Sequence, residues 1–345
     1  MPKDLSMSEL PGSDANPSGA HPPFPVAIVG AGSAGRSYAN CLVADHRFEL
    51  VAVVDPKVER VRAMLPGCQV VTQPSASVHD LVDIGPGLGV RAAIVCAPTN
   101  AHVPLITALL DAGIGVLCHP PLAPSRPSSR MIFDTAYASK APLLIALDHR
   151  RSDEVAAASD LIATGQLGDL RVVRVHLRSN RPAATGILRE LGTIAVDLVR
   201  TLVGEVLYVT ADAADVSDAR TTTAQLLVRT ADEASVCVVL SADSALDSGW
   251  DVLVEGTEGA LRLDVNGLAR HCGLGWEPVC ARTTSTELRA RHLGDLAAAL
   301  QNCRSTSPFD EANTLAAGAV LEAARRSVEI GGWARVVGDQ LARRR

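Results

Sequence analysis

The run Val26-Ala27-Ile28-Val29-Gly30-Ala31-Gly32-Ser33-Ala34-Gly35 decides the fold. Its four leading apolar residues read as a short buried strand, and the three glycines after them stand at the spacing of a dinucleotide-binding loop. Gly30 permits a tight turn, Gly32 lets the backbone approach a pyrophosphate, and Gly35 allows the following helix to pack against the sheet. The phosphates, flanked by Ser33 and Ala34, would sit at the N-terminus of that helix, where unpaired amides favour negative charge. Three such glycines occur by chance in many chains. Here they follow a strand, open a helical segment reaching Val43, and precede by about 20 residues an acidic residue, Asp55, which closes a second apolar run from Glu49 to Val54. Asp55 is expected to accept hydrogen bonds from the adenine ribose hydroxyls and to repel a 2′-phosphate. NAD is therefore the expected cofactor, with Lys57 and Arg60 keeping NADP as the second choice.

Outward from this unit, short apolar runs and amphipathic segments continue to alternate. A helix is expected near Val58 to Leu65, a strand at Ala92 to Ala97, a helix at Ala101 to Ala112, and strands at Gly115 to Cys118 and Pro142 to Ala146. This alternation predicts an α/β fold whose first domain, residues 25–147, is a Rossmann domain with a doubly wound parallel sheet. After Asp148 the pattern changes. A helix from Asp153 to Thr164 leads into Leu170 to Arg178, where Val173, Val175 and Leu177 fall on one face and Arg174, His176 and Arg178 on the other. A helix at Gly192 to Leu202 follows, then candidate strands at Val206 to Ala211, Thr223 to Arg229, Ser235 to Ala242, Asp251 to Val254 and Ala260 to Asp264. These predict a C-terminal α/β domain over residues 148–345 with an open, mostly antiparallel sheet, suited to substrate binding and to a homo-oligomer interface. A last helix, Pro308 to Ile330, is expected to be capped by Ser307. The first 24 residues, rich in Pro, Ser and Gly, read as a disordered leader.

Composition narrows the class. A chain of 345 residues with 47% hydrophobic and 20% charged residues can build about two globular cores. A net charge of −6 and an aromatic content of 3% give neither a basic field nor stacking platforms, which excludes nucleic acid as the expected partner. The leader lacks an apolar signal core, and no stretch approaches the ~20 apolar residues of a membrane span. Eight cysteines without a CxxC pair fit a reducing compartment, so a cytoplasmic protein without membrane contact is expected. No metal is expected either, because His271, Cys272 and Cys280 lack a fourth ligand and no paired histidine motif is present.

The loop, Asp55, the segment Ala97-Pro98-Thr99-Asn100-Ala101-His102 and the run Ala112-Gly113-Ile114-Gly115-Val116-Leu117-Cys118 resemble the glucose-fructose oxidoreductase, inositol dehydrogenase and rhizopine-catabolism family (Gfo/Idh/MocA). Asp160 to Gly168 is similar to that family's entry into its second domain, and Glu255 to Leu261 to its sheet hairpin, so the resemblance spans roughly residues 25 to 335. It implies a cleft between domains, a nicotinamide cofactor bordered by Pro98, Asn100 and His102, and a small polar carbonyl, hydroxyl or imine substrate.

Two positions depart from the family. Where the resemblance implies Glu-Lys-Pro after the strand ending at Cys118, this chain reads His119-Pro120-Pro121, and proline donates from neither side chain nor backbone. Where it implies Asp-x-Gly-x-His-x-x-Asp, this chain reads Glu190-Leu191-Gly192-Thr193-Ile194-Ala195-Val196-Asp197. Oxidising an alcohol requires removal of the hydroxyl proton, so both expected proton carriers are missing. Three readings follow. In the first, an oxidoreductase with a non-standard site uses His119, adjacent to the missing lysine, with Glu190 as the second catalytic candidate; His149 and His176 are further candidates, and with Arg150 and Arg151 they would hold substrate. In the second, the chain is a catalytically degenerate nucleotide-binding regulator or partner subunit. In the third, it is a redox-neutral enzyme using Cys118 and His119. Retention of Asp55, of the Pro98 to His102 loop and of Glu190 favours the first.

Overall fold

The computed structural model describes residues 22–64, 87, 89–183, 186–212, 222–231, 234–302 and 308–338. Most of the expected leader and the Ser307 cap lie outside the described residues. Strand β1 (Phe24–Val29) pairs in parallel with β2 (Phe48–Val54) and β3 (Ala92–Val95), and β3 pairs with β4 (Gly115–Cys118), which pairs with β5 (Leu143–Ile145). The order β2-β1-β3-β4-β5 is that of a doubly wound parallel sheet. Alternation along β1 explains why both faces are covered: Val26 and Ile28 enter one core, Ala27 and Val29 the other. Phe24, the last residue of the stretch expected as leader, already belongs to the strand and is buried.

Helices α1 (Ser33–Ala44) and α2 (Val58–Met64) lie on one side of the sheet, and α3 (His102–Asp111) and α4 (Arg126–Ser139) on the other. Strand β3 stops at Val95, two residues before the expected end. There Cys96 donates to the Val29 carbonyl at 2.7 Å and the chain turns beneath the glycine loop. Beyond β5 a 3-10 turn (Asp148–Arg151) leads into α5 (Asp153–Ala163) and β6 (Leu170–Arg178).

The second sheet is mixed and mostly antiparallel. It contains β6, β7 (Val206–Asp212), β8 (Thr223–Thr230), β9 (Ser235–Ser241), β10 (Gly249–Gly256), β11 (Ala260–Asp264), β12 (Gly267–His271), β13 (Trp276–Cys280) and β14 (Ala334–Arg335), in the order β13-β12-β11-β10-β6-β9-β8-β7-β14. The single parallel pair within it is β6 with β9, among the described residues. Val173, Val175 and Leu177 of β6 are buried as their period-2 spacing demands. They meet α5, α6 (Thr193–Val203) and α8 (Pro308–Ile330), which cover one face of the sheet. A π-type turn, Leu188–Gly192, introduces α6.

One element joins the two layers. Helix α7 (Ser285–Gln301), opened by a Thr284/Glu287 capping box, turns back from the second sheet and buries Leu293, Leu296, Ala297 and Leu300 in the core that holds Tyr38, Ala39 and Leu42 of α1. Neither α4 nor α7 was apparent in the periodicity, because charged and small residues interrupt their apolar stripes.

Local packing explains two of the three glycines of the opening motif. Gly30 has φ +104°, and a β-carbon on it would meet the Cys96 carbonyl at 2.7 Å; a β-carbon on Gly35 would lie 2.0 Å from the Gly30 carbonyl oxygen. Nothing lies within 4 Å of the same point on Gly32. Gly35→Ala is therefore expected to lower unfolding free energy by about 3 kcal/mol, as forced overpacking does, and Gly32→Ala by less than about 0.5 kcal/mol, both read by urea denaturation.

Candidate active site

The nucleotide end is built from the loop between β1 and α1. Gly30 donates to the Val54 carbonyl at 2.8 Å, which fixes the loop against the end of β2. Helix α1 begins at Ser33 with Gly32 as its N-cap, no side-chain cap and no acidic residue in its first turn, so its first amides are not satisfied by a side chain. Asp55, just beyond β2, is only 5% exposed. Its Oδ2 accepts from Ala31 N–H and its Oδ1 from Lys57 N–H, each at 2.8 Å. A carboxylate has about four acceptor sites, so each oxygen retains capacity for a ribose hydroxyl. The open space at Gly32, the uncapped helix start and the half-used carboxylate together fit a dinucleotide. Ser33 is exposed beside them.

Sequence reasoning missed one group here. Arg181, on the segment after β6, reaches across and donates from Nη1 to Ser33 Oγ at 2.9 Å. Its own backbone is tied to the second sheet, its N–H donating to Ser179 Oγ and its carbonyl accepting from Asp243 N–H, each at 3.1 Å. No local pattern links residues so distant in sequence. Pro98 and Asn100 lie exposed at the 3-10 turn (Thr99–Ala101) beyond β3. His102 does not share that exposure: its Nε2 lies 2.8 Å from the Ala97 carbonyl, and its Nδ1 lies 3.0 and 3.1 Å from those of Pro121 and Leu122. Burial lowers its pKa, so the ring donates from one nitrogen only, and it sits wedged between the backbone carbonyls of two loops.

A cavity of about 560 Å³ lies between the layers, lined among others by His119, Pro120, His149, Leu191 and Ile194. His119 N–H donates to the Val95 carbonyl at 2.9 Å, which places the residue at the mouth of the β3–β4 pair. Burial first, and the nearby Arg289 guanidinium second, push its pKa down, with Asp148 opposing. A neutral His119 donates Nδ1–H to the Pro120 carbonyl, 3.1 Å away, and keeps Nε2 as an acceptor.

His149 is held differently. Its Nε2 lies 2.7 Å from Asp197 Oδ2 on α6, and its buried Nδ1 has no hydrogen-bond partner. Asp197 also receives Arg150 Nε at 2.6 Å and Nη2 at 2.7 Å, a bidentate pair. Burial opposes ionisation of Asp197, yet the hydrogen bonds from His149 and Arg150 outweigh it and hold the carboxyl well below the usual carboxylate range.

Of the expected substrate residues, His149 alone lines this cavity. Arg150 is consumed by Asp197, and Arg151 pairs with Asp295 at 2.7 Å; neither lines the cavity. His176 stands on β6 beside Ser241 Oγ at 3.0 Å, outside the cavity. Glu190 sits in the π-type turn and does not line the cavity. What the fold does bring together is His119, His149 and the two non-donating residues Pro120 and Ile194.

These features define a Rossmann domain with a dinucleotide-type loop, closed by a mixed-sheet domain across a polar cleft. Residues 24–146 match the model of an oxidoreductase family with an NAD-binding Rossmann fold, and residues 155–262 match the GFO/IDH/MocA C-terminal domain. The chain is 33% identical over 246 residues to the myo-inositol dehydrogenase Hyg17 of Streptomyces leeuwenhoekii, covering 67% of this chain and 73% of that protein. It is 26% identical to the inositol 2-dehydrogenase of Rhizobium meliloti, covering 87% and 96% respectively. Among solved structures, GenD2 from gentamicin A biosynthesis in complex with NAD superposes with a TM-score of 0.75 at 24% identity, over 94% of this chain and 99% of that one. The chain belongs to the GFO/IDH/MocA oxidoreductase family.

The Asp197 cluster generates a stability test. Asp197→Asn keeps the shape but leaves the Arg150 guanidinium without its counter-charge, and is expected to cost about 3–5 kcal/mol at pH 7 by chemical denaturation. A depressed carboxyl contributes stability above the unfolded carboxylate value of about 3.9 and loses it as pH falls toward the lower folded value. The difference between parent and variant should therefore be constant from pH 7 to 5 and shrink below pH ~4.

Proposed function

We propose that this chain is an NAD-dependent oxidoreductase acting on a small polar carbonyl, hydroxyl or imine compound, with His119 and His149 carrying the proton that relatives entrust to lysine and histidine. The observation that carries the reading is the pairing of His149 with Asp197 in the wall of the cavity that His119 also lines. Asp197 fixes the orientation of the ring, as an orienting carboxylate does for a general base. His119, neutral and with Nε2 free to accept, stands on the Rossmann side of the same space. NAD, when bound, supplies hydride acceptance or donation. Gly30, Gly32, Ser33, Ala34 and Gly35 would hold its pyrophosphate, Asp55 its adenine ribose, and Pro98 and Asn100 would border the nicotinamide end. Arg181 adds a positive charge over the loop. Asp55 favours NAD over NADP, because a 2′-phosphate would meet a buried carboxylate.

The named inositol dehydrogenases among the relatives support a polyhydroxylated substrate. The regulator reading draws on the same two substitutions, Pro120 and Ile194. The redox-neutral reading is weakened by Cys118, which is fully buried, with burial pushing its thiol well up and removing it as a nucleophile. A cytoplasmic setting accords with the absence of any helix, among the described residues, long and apolar enough to cross a membrane. A homo-oligomer through the second sheet accords with Leu207, Tyr208 and Leu227 being exposed on β7 and β8; no metal is invoked.

Calorimetric titration is expected to show NADH binding, with NADPH at least about tenfold weaker, and Arg181→Ala weakening NADH by about tenfold through loss of a charge-assisted contact. Absence of NADH binding overturns the proposal. In a screen of carbonyl, polyol and imine substrates, His119→Ala and His149→Ala should each lower kcat by about 10²-fold or more with little change in NADH affinity. Glu190→Gln should lower it less.

A further inference from the structure

The cavity contains a second arrangement that neither the glycine loop nor the histidines explain. Three of its lining residues, Arg178, Gly249 and Arg282, come from the end of β6, the start of β10 and the segment after β13. Arg178 is fixed by two of its nitrogens: Nε donates to the Asp247 carbonyl at 3.1 Å and Nη1 to Asp251 Oδ2. Its Nη2 is left over. Arg282 stacks its guanidinium 5.7 Å from the centroid of the Trp250 ring and has no carboxylate partner among the described residues. Stacking fixes the plane of a guanidinium and leaves its edge donors unused.

The two spare edges converge on one place. A β-carbon built on Gly249 would stand 3.8 Å from Arg178 Nη2 and 3.9 Å from Arg282 Nη2. Because residue 249 is glycine, that place is empty of side chain, and both nitrogens lie at contact range of it. The other carboxylates lining the cavity are already engaged. Glu154 Oε2 accepts Thr283 N–H at 3.1 Å and Thr283 Oγ–H at 2.7 Å, and Asp148 takes Arg289 Nη1 at 2.6 Å. Asp251 already partners Arg178, whereas no carboxylate among the described residues pairs with Arg282, so the fork keeps one uncompensated charge, and its two guanidinium edges near one point match an oxyanion with two or more oxygens.

The geometry points to an anionic subsite: the substrate of this cleft carries a carboxylate or phosphate group that docks between Arg178 and Arg282 beside Gly249, in the cavity that His119 also lines. The inference rests on the oxidoreductase reading and narrows its substrate class to acidic polyols and related hydroxy or keto compounds. It also relocates the anion-holding role that the sequence suggested for Arg150 and Arg151, both of which are spent on Asp197 and Asp295.

The test is calorimetric. NAD⁺ is titrated first, and then D-glucuronate, D-glucose 6-phosphate and D-glucose are each titrated into the NAD⁺-saturated protein at fixed ionic strength. One of the two anions is expected to bind at least tenfold tighter than glucose, and the better of them identifies carboxylate or phosphate as the docked group. Arg282→Gln should reduce that preference at least tenfold without altering NAD⁺ affinity, and Arg282→Lys should restore part of it. Gly249→Asp supplies an internal carboxylate and should abolish anion binding while raising the unfolding temperature. Glucose binding as tightly as the anions, binding of neither anion, or an anion preference unchanged in Arg282→Gln overturns the subsite. Failure of NAD⁺ to bind defeats the oxidoreductase reading instead, and the same titrations on the cofactor-free protein still decide the subsite.

Discussion

The cleft depends on one buried carboxylate. Asp197 projects from α6 to the 3-10 turn after β5, and by gripping Arg150 with two bonds and His149 with one it locks the second domain's helix to the strand end of the first. A buried ion pair is weak evidence for net stability, since desolvation offsets much of the Coulombic gain. Its consequence here is geometric. The bidentate guanidinium removes freedom from the carboxylate, the carboxylate removes freedom from the imidazole, and the imidazole is presented to the cavity in one orientation.

A second lock works beside it. Asp148, one residue before His149, holds Arg289 of α7, whose guanidinium lies 4.9 Å from the centroid of the Tyr38 ring, and the Tyr38 hydroxyl meets His292 Nδ1 at 3.0 Å. Burial pushes the Tyr38 hydroxyl up and lowers His292 to about 4, so both are neutral and the cluster's charge is the Arg289–Asp148 pair. The same Arg289 helps keep His119 neutral. The returning helix thus links core packing in the Rossmann layer to the protonation state of a residue in the cleft.

Pro120 and Ile194 both line the cleft, and neither side chain has a proton to give or take. The glycine loop, Asp55 and the cavity are compatible with a bound dinucleotide, and the proposed proton carriers are the two histidines that line the cavity, His119 and His149. His149 has its orientation set by the Asp197 carboxylate. The guanidinium pair beside Gly249 lines the same space as the two histidines.

The sequence by itself determined the Rossmann half, because its signals are local: apolar alternation sets which side of β1 each residue faces, and Gly30 and Gly35 occupy positions where backbone crowding admits no β-carbon. It also marked Asp55 and the strand β6 with its two faces. It did not reveal α4 or α7, whose apolar stripes are broken by charges, nor which basic residues reach the cleft. Arg150 and Arg151 looked available because their partners, Asp197 and Asp295, are distant in the chain; Arg181 and Arg282 carried no signal because their surroundings exist only after Ser33, Gly249 and Trp250 have been brought near. Local backbone sterics are written in neighbouring residues, whereas the satisfaction of a charge depends on whatever the fold places within a few ångströms of it, and only the tertiary structure decided that.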